Sequence, residues 1–241
     1  MKPSKIGVLD SGMGGLYVLK ELFEKYPFNT YYFYGDTKNL PFGNKSKEDL
    51  IKIGENIIKY FESLNVDIII IACGTLSSFV FDTLKEKTKI PLINIIDYTL
   101  RYVNQKYENV LVLSTLATMH SNYFQNNLLL TKRVIGLERL AYLIENDLDY
   151  IDYLDSILPN ENYDAIILGC THFVKIKDYL KEKYQTDIVD MGNILANNLV
   201  LSDDGIKNIF IYFSKLTDTE INNVYKIFRK EDVTICPNLP K

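Results

Sequence analysis

Seven short apolar runs recur along the chain with almost no polar interruption: Ile6–Leu9, Thr30–Tyr34, Ile68–Ala72, Leu92–Ile96, Val110–Leu113, Ala165–Leu168 and Ile188–Val189. Between them lie Leu16–Tyr26, Lys47–Leu64, Ser77–Lys87 and Val174–Tyr184, which carry apolar residues at helical spacing with Lys and Glu on the other side. A strand that is apolar at successive positions is buried on both faces, and helices between strands supply the cover. The pattern predicts an α/β fold of mainly parallel sheets flanked by helices.

The strands also echo one another. Ile68-Ile-Ile-Ile-Ala-Cys-Gly-Thr75 resembles Ala165-Ile-Ile-Leu-Gly-Cys-Thr171, and Ile6–Ser11 resembles Val110–Thr115 in ending on short polar side chains. Two similar lobes facing across a cleft would bring these strand ends together, and open α/β sheets bind ligands outside the carboxyl ends of their strands. The expected division is residues 1–97 for the first lobe and 98–189 for the second, with 190–241 returning to the first. At 241 residues the chain is long enough for one to two domains. It needs neither metal nor disulfide to fold.

A net charge of -4 gives no electrostatic reason to expect nucleic acid or an anionic membrane as partner. The longest apolar run, Val66–Cys73, is already broken by Asp67 and falls far short of the roughly 20 residues that cross a bilayer. No leader pattern is read at Met1–Lys5. Three cysteines do not make a disulfide framework, so the expected setting is the cytoplasm, where thiols stay reduced.

Cys73 and Cys170 each follow a buried strand and precede a helix, where backbone N–H groups and the helix dipole are expected to lower a thiol pKa. A single strand-end cysteine is more often a small core residue. Two in matched frames beside polar groups favour chemistry. His172, two residues after Cys170, is placed to act as its proton partner. Asp10-Ser-Gly-Met-Gly-Gly15 ends the first strand with glycines that let backbone approach an anion, though it is neither a dinucleotide nor a phosphate fingerprint. His120 and Cys236 are read as structural. Two histidines and three widely spaced cysteines give no metal-ligand spacing.

Taken together, Ile6-Gly-Val-Leu-Asp-Ser-Gly-Met-Gly-Gly-Leu16, Tyr34-Gly-Asp-Thr37, Pro41-Phe-Gly43, Ala72-Cys-Gly-Thr75 and Leu168-Gly-Cys-Thr-His-Phe173 resemble the glutamate racemases of the aspartate/glutamate racemase family over nearly the whole chain. The resemblance implies two facing α/β lobes and interconversion of L- and D-glutamate for peptidoglycan, without pyridoxal phosphate or metal. It implies Cys73 and Cys170 as the acid/base pair, with Asp10 and His172 each assisting the nearer thiol. Ser11, Gly43, Thr75, Thr171 and loop amides would hold the amino and carboxylate groups, joined by Phe42, Gly74, Thr118 and Glu145 along the cleft. Family members are often homodimers.

Two positions depart from the family pattern. Gly74 stands where the family has Asn after the first cysteine, a lost amide worth about 1–3 kcal/mol if nothing replaces it. Phe42 stands where it has Tyr. Gly74→Asn is therefore expected to keep or improve glutamate affinity. The residues also admit other readings. They are racemisation of another acidic amino acid such as aspartate, a non-catalytic relative that binds an amino acid or a protein, and thiol redox chemistry, which here lacks Cys-x-x-Cys spacing.

Overall fold

The structure, a computed structural model, describes residues 4–237. Its strands are β1 (Lys5–Asp10), β2 (Thr30–Gly35), β3 (Ile68–Ile71), β4 (Leu92–Asn94), β5 (Asn109–Ser114), β6 (Thr131–Gly136), β7 (Ala165–Leu168), β8 (Asp187–Asp190), β9 (Asn208–Phe213) and β10 (Thr234–Cys236). They form two sheets, ordered β10-β9-β2-β1-β3-β4 and β6-β5-β7-β8, and every pairing is parallel. Within them, β2-β1-β3-β4 and β6-β5-β7-β8 have the same order of first appearance. β1 corresponds to β5 and β3 to β7, so the sequence echo is an equivalence of position. Each sheet reverses direction of growth beside its first strand, and that switch point is where such sheets bind ligands.

The continuous apolar runs are explained by burial on both faces. Val8 lies beside Phe33 and Ile70, and Val112 lies beside Val134 and Ile167. Ile6, Val8 and Ile70 of the first sheet and Val110, Val112 and Ile167 of the second point into one central core. Leu16, Leu19 and Leu22 of the helix Gly15–Lys25, Ile96 and Val103 of the helix Ile95–Lys106, and Leu195 of the helix Met191–Asn198 fill the same core. The alternate residues, Leu9, Ile69 and Ile71, pack outward on Leu50, Ile57 and Phe61 of the helix Lys47–Ser63. Leu111, Ile166 and Leu168 pack outward on Leu154 and Leu180.

Several element boundaries differ from the sequence reading. Residues 95 and 96 belong to the helix Ile95–Lys106 and not to β4, because the Asn94 side chain accepts from the Ile96 N–H and caps that helix. That helix runs through position 97, so the chain passes between the sheets along a helix. Ser77–Lys87 is two short helices, Gly74–Phe79 and Phe81–Lys85. The segment after Cys170 is a 3-10 helix, Thr171–Ile176, before Lys177–Tyr184 becomes α-helical. Among the described residues no helix is long and apolar enough to cross a membrane.

Ile70 is fully buried in β3, three residues before Cys73. Ile70→Ala removes contacts from the core that both sheets share, and its expected cost is about 2–5 kcal/mol. Urea unfolding should show a lower midpoint with an unchanged slope.

Candidate active site

The carboxyl ends of β1, β3, β5 and β7 meet at a cavity of about 390 Å³. Its walls include Ser11, Phe42, Gly43, Cys73, Gly74 and Thr75 on one side, and Thr115, Glu145, Cys170, Thr171 and His172 on the other. Both strand-end cysteines therefore line one cavity, each delivered by the equivalent strand of its sheet. They are buried, and the structure leaves them as free thiols.

Asp10 and Thr118 lie behind the lining. Asp10 is fully buried, and its Oδ2 accepts from the N–H groups of Gly12 at 3.1 Å and Gly15 at 3.0 Å. Thr171 Oγ1 donates to Asp10 Oδ1 at 3.4 Å, tying the β1 loop to the strand end that carries Cys170. Burial raises the Asp10 carboxyl pKa, against the lowering effects of His172 and the two loop amides. Thr118 is also fully buried; Thr115 Oγ1 donates to its hydroxyl at 3.0 Å. It supports Thr115, whose Oγ1 lies 3.5 Å from Thr75 Oγ1 across the cleft.

The thiols have different surroundings. Burial pushes the Cys73 thiol up to about 12, aided by the negative charge of Asp10, while the Leu76 N–H and the Ser11 hydroxyl oppose the rise only in part. This overturns the expected lowering at that site. The helix Gly74–Phe79 is a six-residue helix, and its donors are outweighed by loss of water. Cys73 is thus held as a thiol.

Cys170 faces a relay. Its Sγ is 3.8 Å from His172 Nδ1, and His172 Nε2 is 2.7 Å from Glu145 Oε1. Burial works against a charged imidazole, but the bonds to Cys170 and Glu145 outweigh it and hold His172 well above its ordinary 6.5. Burial likewise opposes a charged Glu145, yet His172 and the Met13 N–H keep its carboxyl below the ordinary range. The pair is therefore an imidazolium and a carboxylate at neutral pH. The β1 loop fits closely beneath it, since a Cβ on Gly14 would sit 2.7 Å from His172 Nδ1.

The sequence reading placed Glu145 among substrate-binding groups; its side chain lines the cavity but is engaged by His172. His120 is exposed and outside the lining, and Cys236 lies in the edge strand β10. Thr115, Glu138 and Tyr142 also line the cavity and were not singled out from sequence. Thr115 had a signal, since it follows β5 as Ser11 follows β1. Glu138 and Tyr142 reach the rim through tertiary packing and leave no local pattern. Among the described residues no Lys or Arg lines the cavity, so a bound carboxylate would meet hydroxyls, amides and the His172 ring. Among the described residues no three His, Cys, Asp or Glu cluster as metal ligands.

A sequence profile of the Asp/Glu/Hydantoin racemase family matches residues 25–199. A glutamate racemase of Persephonella marina is 32% identical over 96% of this chain and 98% of its own length. One from Fusobacterium nucleatum is 33% identical over 78% of this chain and 77% of its own. The crystal structure of glutamate racemase from Campylobacter jejuni superposes with a TM-score of 0.82 at 30% identity, covering 92% of this chain and 97% of that one.

Proposed function

The chain belongs to the Asp/Glu/Hydantoin racemase family, and from that premise we propose that it interconverts L- and D-glutamate with Cys73 and Cys170 as its two proton-transfer groups. One observation carries the chemistry: two thiols, each just beyond the equivalent strand of its sheet, line the same cavity. Racemisation at Cα needs a base on one face and an acid on the other. One sulfur, as thiolate, takes the Cα proton while the other, as thiol, delivers a proton to the opposite face. Their protonation states are exchanged after each turnover, and the reverse reaction starts from the exchanged form.

Burial favours the protonated form of Cys73, which fits a role as the proton-delivering thiol. On the other wall, the His172 imidazolium directs an N–H at Cys170 Sγ, and Glu145 holds the ring in place. Asp10 anchors the β1 loop beside Cys73 and reaches Thr171 on the second wall. Ser11, Thr75, Thr115 and Thr171 supply hydroxyls, and the turn Phe42–Asn44 presents backbone, to the substrate's ammonium and carboxylate groups. On this reading residues 1–97 with 190–241 carry one thiol and 98–189 the other. The cytoplasm suits both the reduced thiols and the supply of D-glutamate to peptidoglycan, with a homodimer as the assembly the family resemblance suggests.

The test is incubation in D2O with L- and D-amino acids, following the Cα proton by NMR. Loss of the signal from both glutamate enantiomers is expected. Exchange on aspartate alone would keep the chemistry and replace the substrate. Silence across the panel from folded protein would overturn the catalytic reading in favour of a binding protein.

A further inference from the structure

Gly74 directly follows Cys73 and starts the helix Gly74–Phe79, and Gly169 directly precedes Cys170 at the end of β7. At this point the two cysteine-bearing backbones touch. A Cβ on Gly74 would lie 2.7 Å from the Gly169 carbonyl oxygen. Carbon and carbonyl oxygen in ordinary contact stand about 3.3 Å or more apart, so a side chain at 74 must open the gap by about 0.6 Å.

Neither partner yields easily. The Gly169 N–H donates to the Leu113 carbonyl at 2.7 Å, and a Cβ on Gly169 would itself be only 3.0 Å from that oxygen. On the other wall, the Ser77 N–H donates to the Cys73 carbonyl at 2.9 Å, and Ser77 Oγ donates to the Ile71 carbonyl at 3.1 Å. Each backbone is pinned to its own sheet, so the displacement is taken up between the walls.

We propose that Gly74 is a positioning residue that sets the gap between Cys73 and Cys170, its missing side chain letting the two walls close backbone to backbone. The proposal rests on the racemase reading for its catalytic consequence. Two sulfurs must reach one Cα from opposite faces, and a wider gap leaves at least one of them short. Misplacement of about 1 Å in reacting groups costs about 100-fold. A smaller opening should cost Gly74→Ala about tenfold in kcat. KM should rise by no more than about threefold, because the hydroxyl contacts from the two walls lengthen but none is removed. Gly74→Asn should fall in kcat with Gly74→Ala, despite the amide it restores. This reverses the expectation drawn from sequence.

The experiment uses the full chain with Cys236→Ser as background, leaving Cys73 and Cys170 as its thiols, with and without Gly74→Ala or Gly74→Asn. Glutamate racemisation gives kcat and KM, circular dichroism checks folding, and dibromobimane, which fluoresces after joining two thiols, reports their spacing. A kcat loss without a matching KM change, together with slower bridging in both variants, supports the proposal. Bridging and kcat equal to the background, or a higher kcat in Gly74→Asn, overturns it. If the background protein exchanges no glutamate while Gly74→Ala still slows bridging, the spacing role stands and the racemase reading falls.

Discussion

Cys73→Ala and Cys170→Ala should each lower glutamate racemisation by about 10²–10⁴-fold, the range that a positioned general acid or base contributes. At 1.36 kcal/mol per decade this is about 3–5 kcal/mol of transition-state stabilisation. The double variant should be little worse than either single one, because groups that act as a unit are not additive. The singles should differ in a second way. Each retains one sulfur, which can take a Cα proton and return deuterium to the same face. In D2O each variant should therefore exchange the Cα proton of one enantiomer without inverting it, and the favoured enantiomer should be opposite for the two. Both thiols are buried, so circular dichroism and urea unfolding are needed to show that the variants fold. Full racemase activity in either single variant, or exchange of the same enantiomer by both, would remove the two-thiol mechanism.

The parts of this design legible in the sequence are those fixed by local chemistry. Ile68–Ile71 and Ala165–Leu168 read as strands because both faces of each are buried. The cysteines after them drew notice through matched frames, which the common β2-β1-β3-β4 and β6-β5-β7-β8 orders now explain. β6 was missed because its first half, Thr131-Lys-Arg133, is exposed at a sheet edge and has no apolar pattern. β9 carries a plain strand signal, Ile-Phe-Ile-Tyr-Phe213, that lies outside the seven apolar runs. β10 is a three-residue edge strand with little to read.

Within the site, sequence found the residues better than their relations. Glu145 and His172 are 27 positions apart, and nothing local says that they pair. The direction of the Cys73 shift depends on how completely the fold excludes water, which a helix start alone does not reveal. Asp10 and Thr118 sit behind the wall because burial of a whole loop decides which polar side chain reaches the cavity. Likewise the fit of Gly74 against Gly169 arises between residues on different sheets.

Glu145→Gln should lower kcat by about 100-fold at pH 8, with partial recovery at pH 6. In the native protein the carboxylate helps hold His172 charged against burial. The amide keeps the shape and a hydrogen bond but removes the countercharge, so burial should pull the imidazole pKa down toward or below 6.5. The positive charge beside Cys170 would then be lost as pH rises through neutrality, whichever ring nitrogen keeps the remaining proton, moving the alkaline limb of the rate profile downward in pH.

Stability should follow the same pair, with both signs fixed by its shifts. The raised His172 value contributes stability that is complete below about 6.5 and is lost as pH rises through the folded value. The lowered Glu145 value contributes stability present above about 4.5 and lost as pH falls through its folded value. The native protein should therefore exceed Glu145→Gln by most, about 2–3 kcal/mol for a buried charged hydrogen bond, between those two pH values. That margin should narrow on either side. Urea unfolding of both proteins from pH 4 to 9, beside the rate profiles, measures both effects. Superimposable rate profiles and a pH-independent stability difference would show that Glu145 does not set the charge on His172.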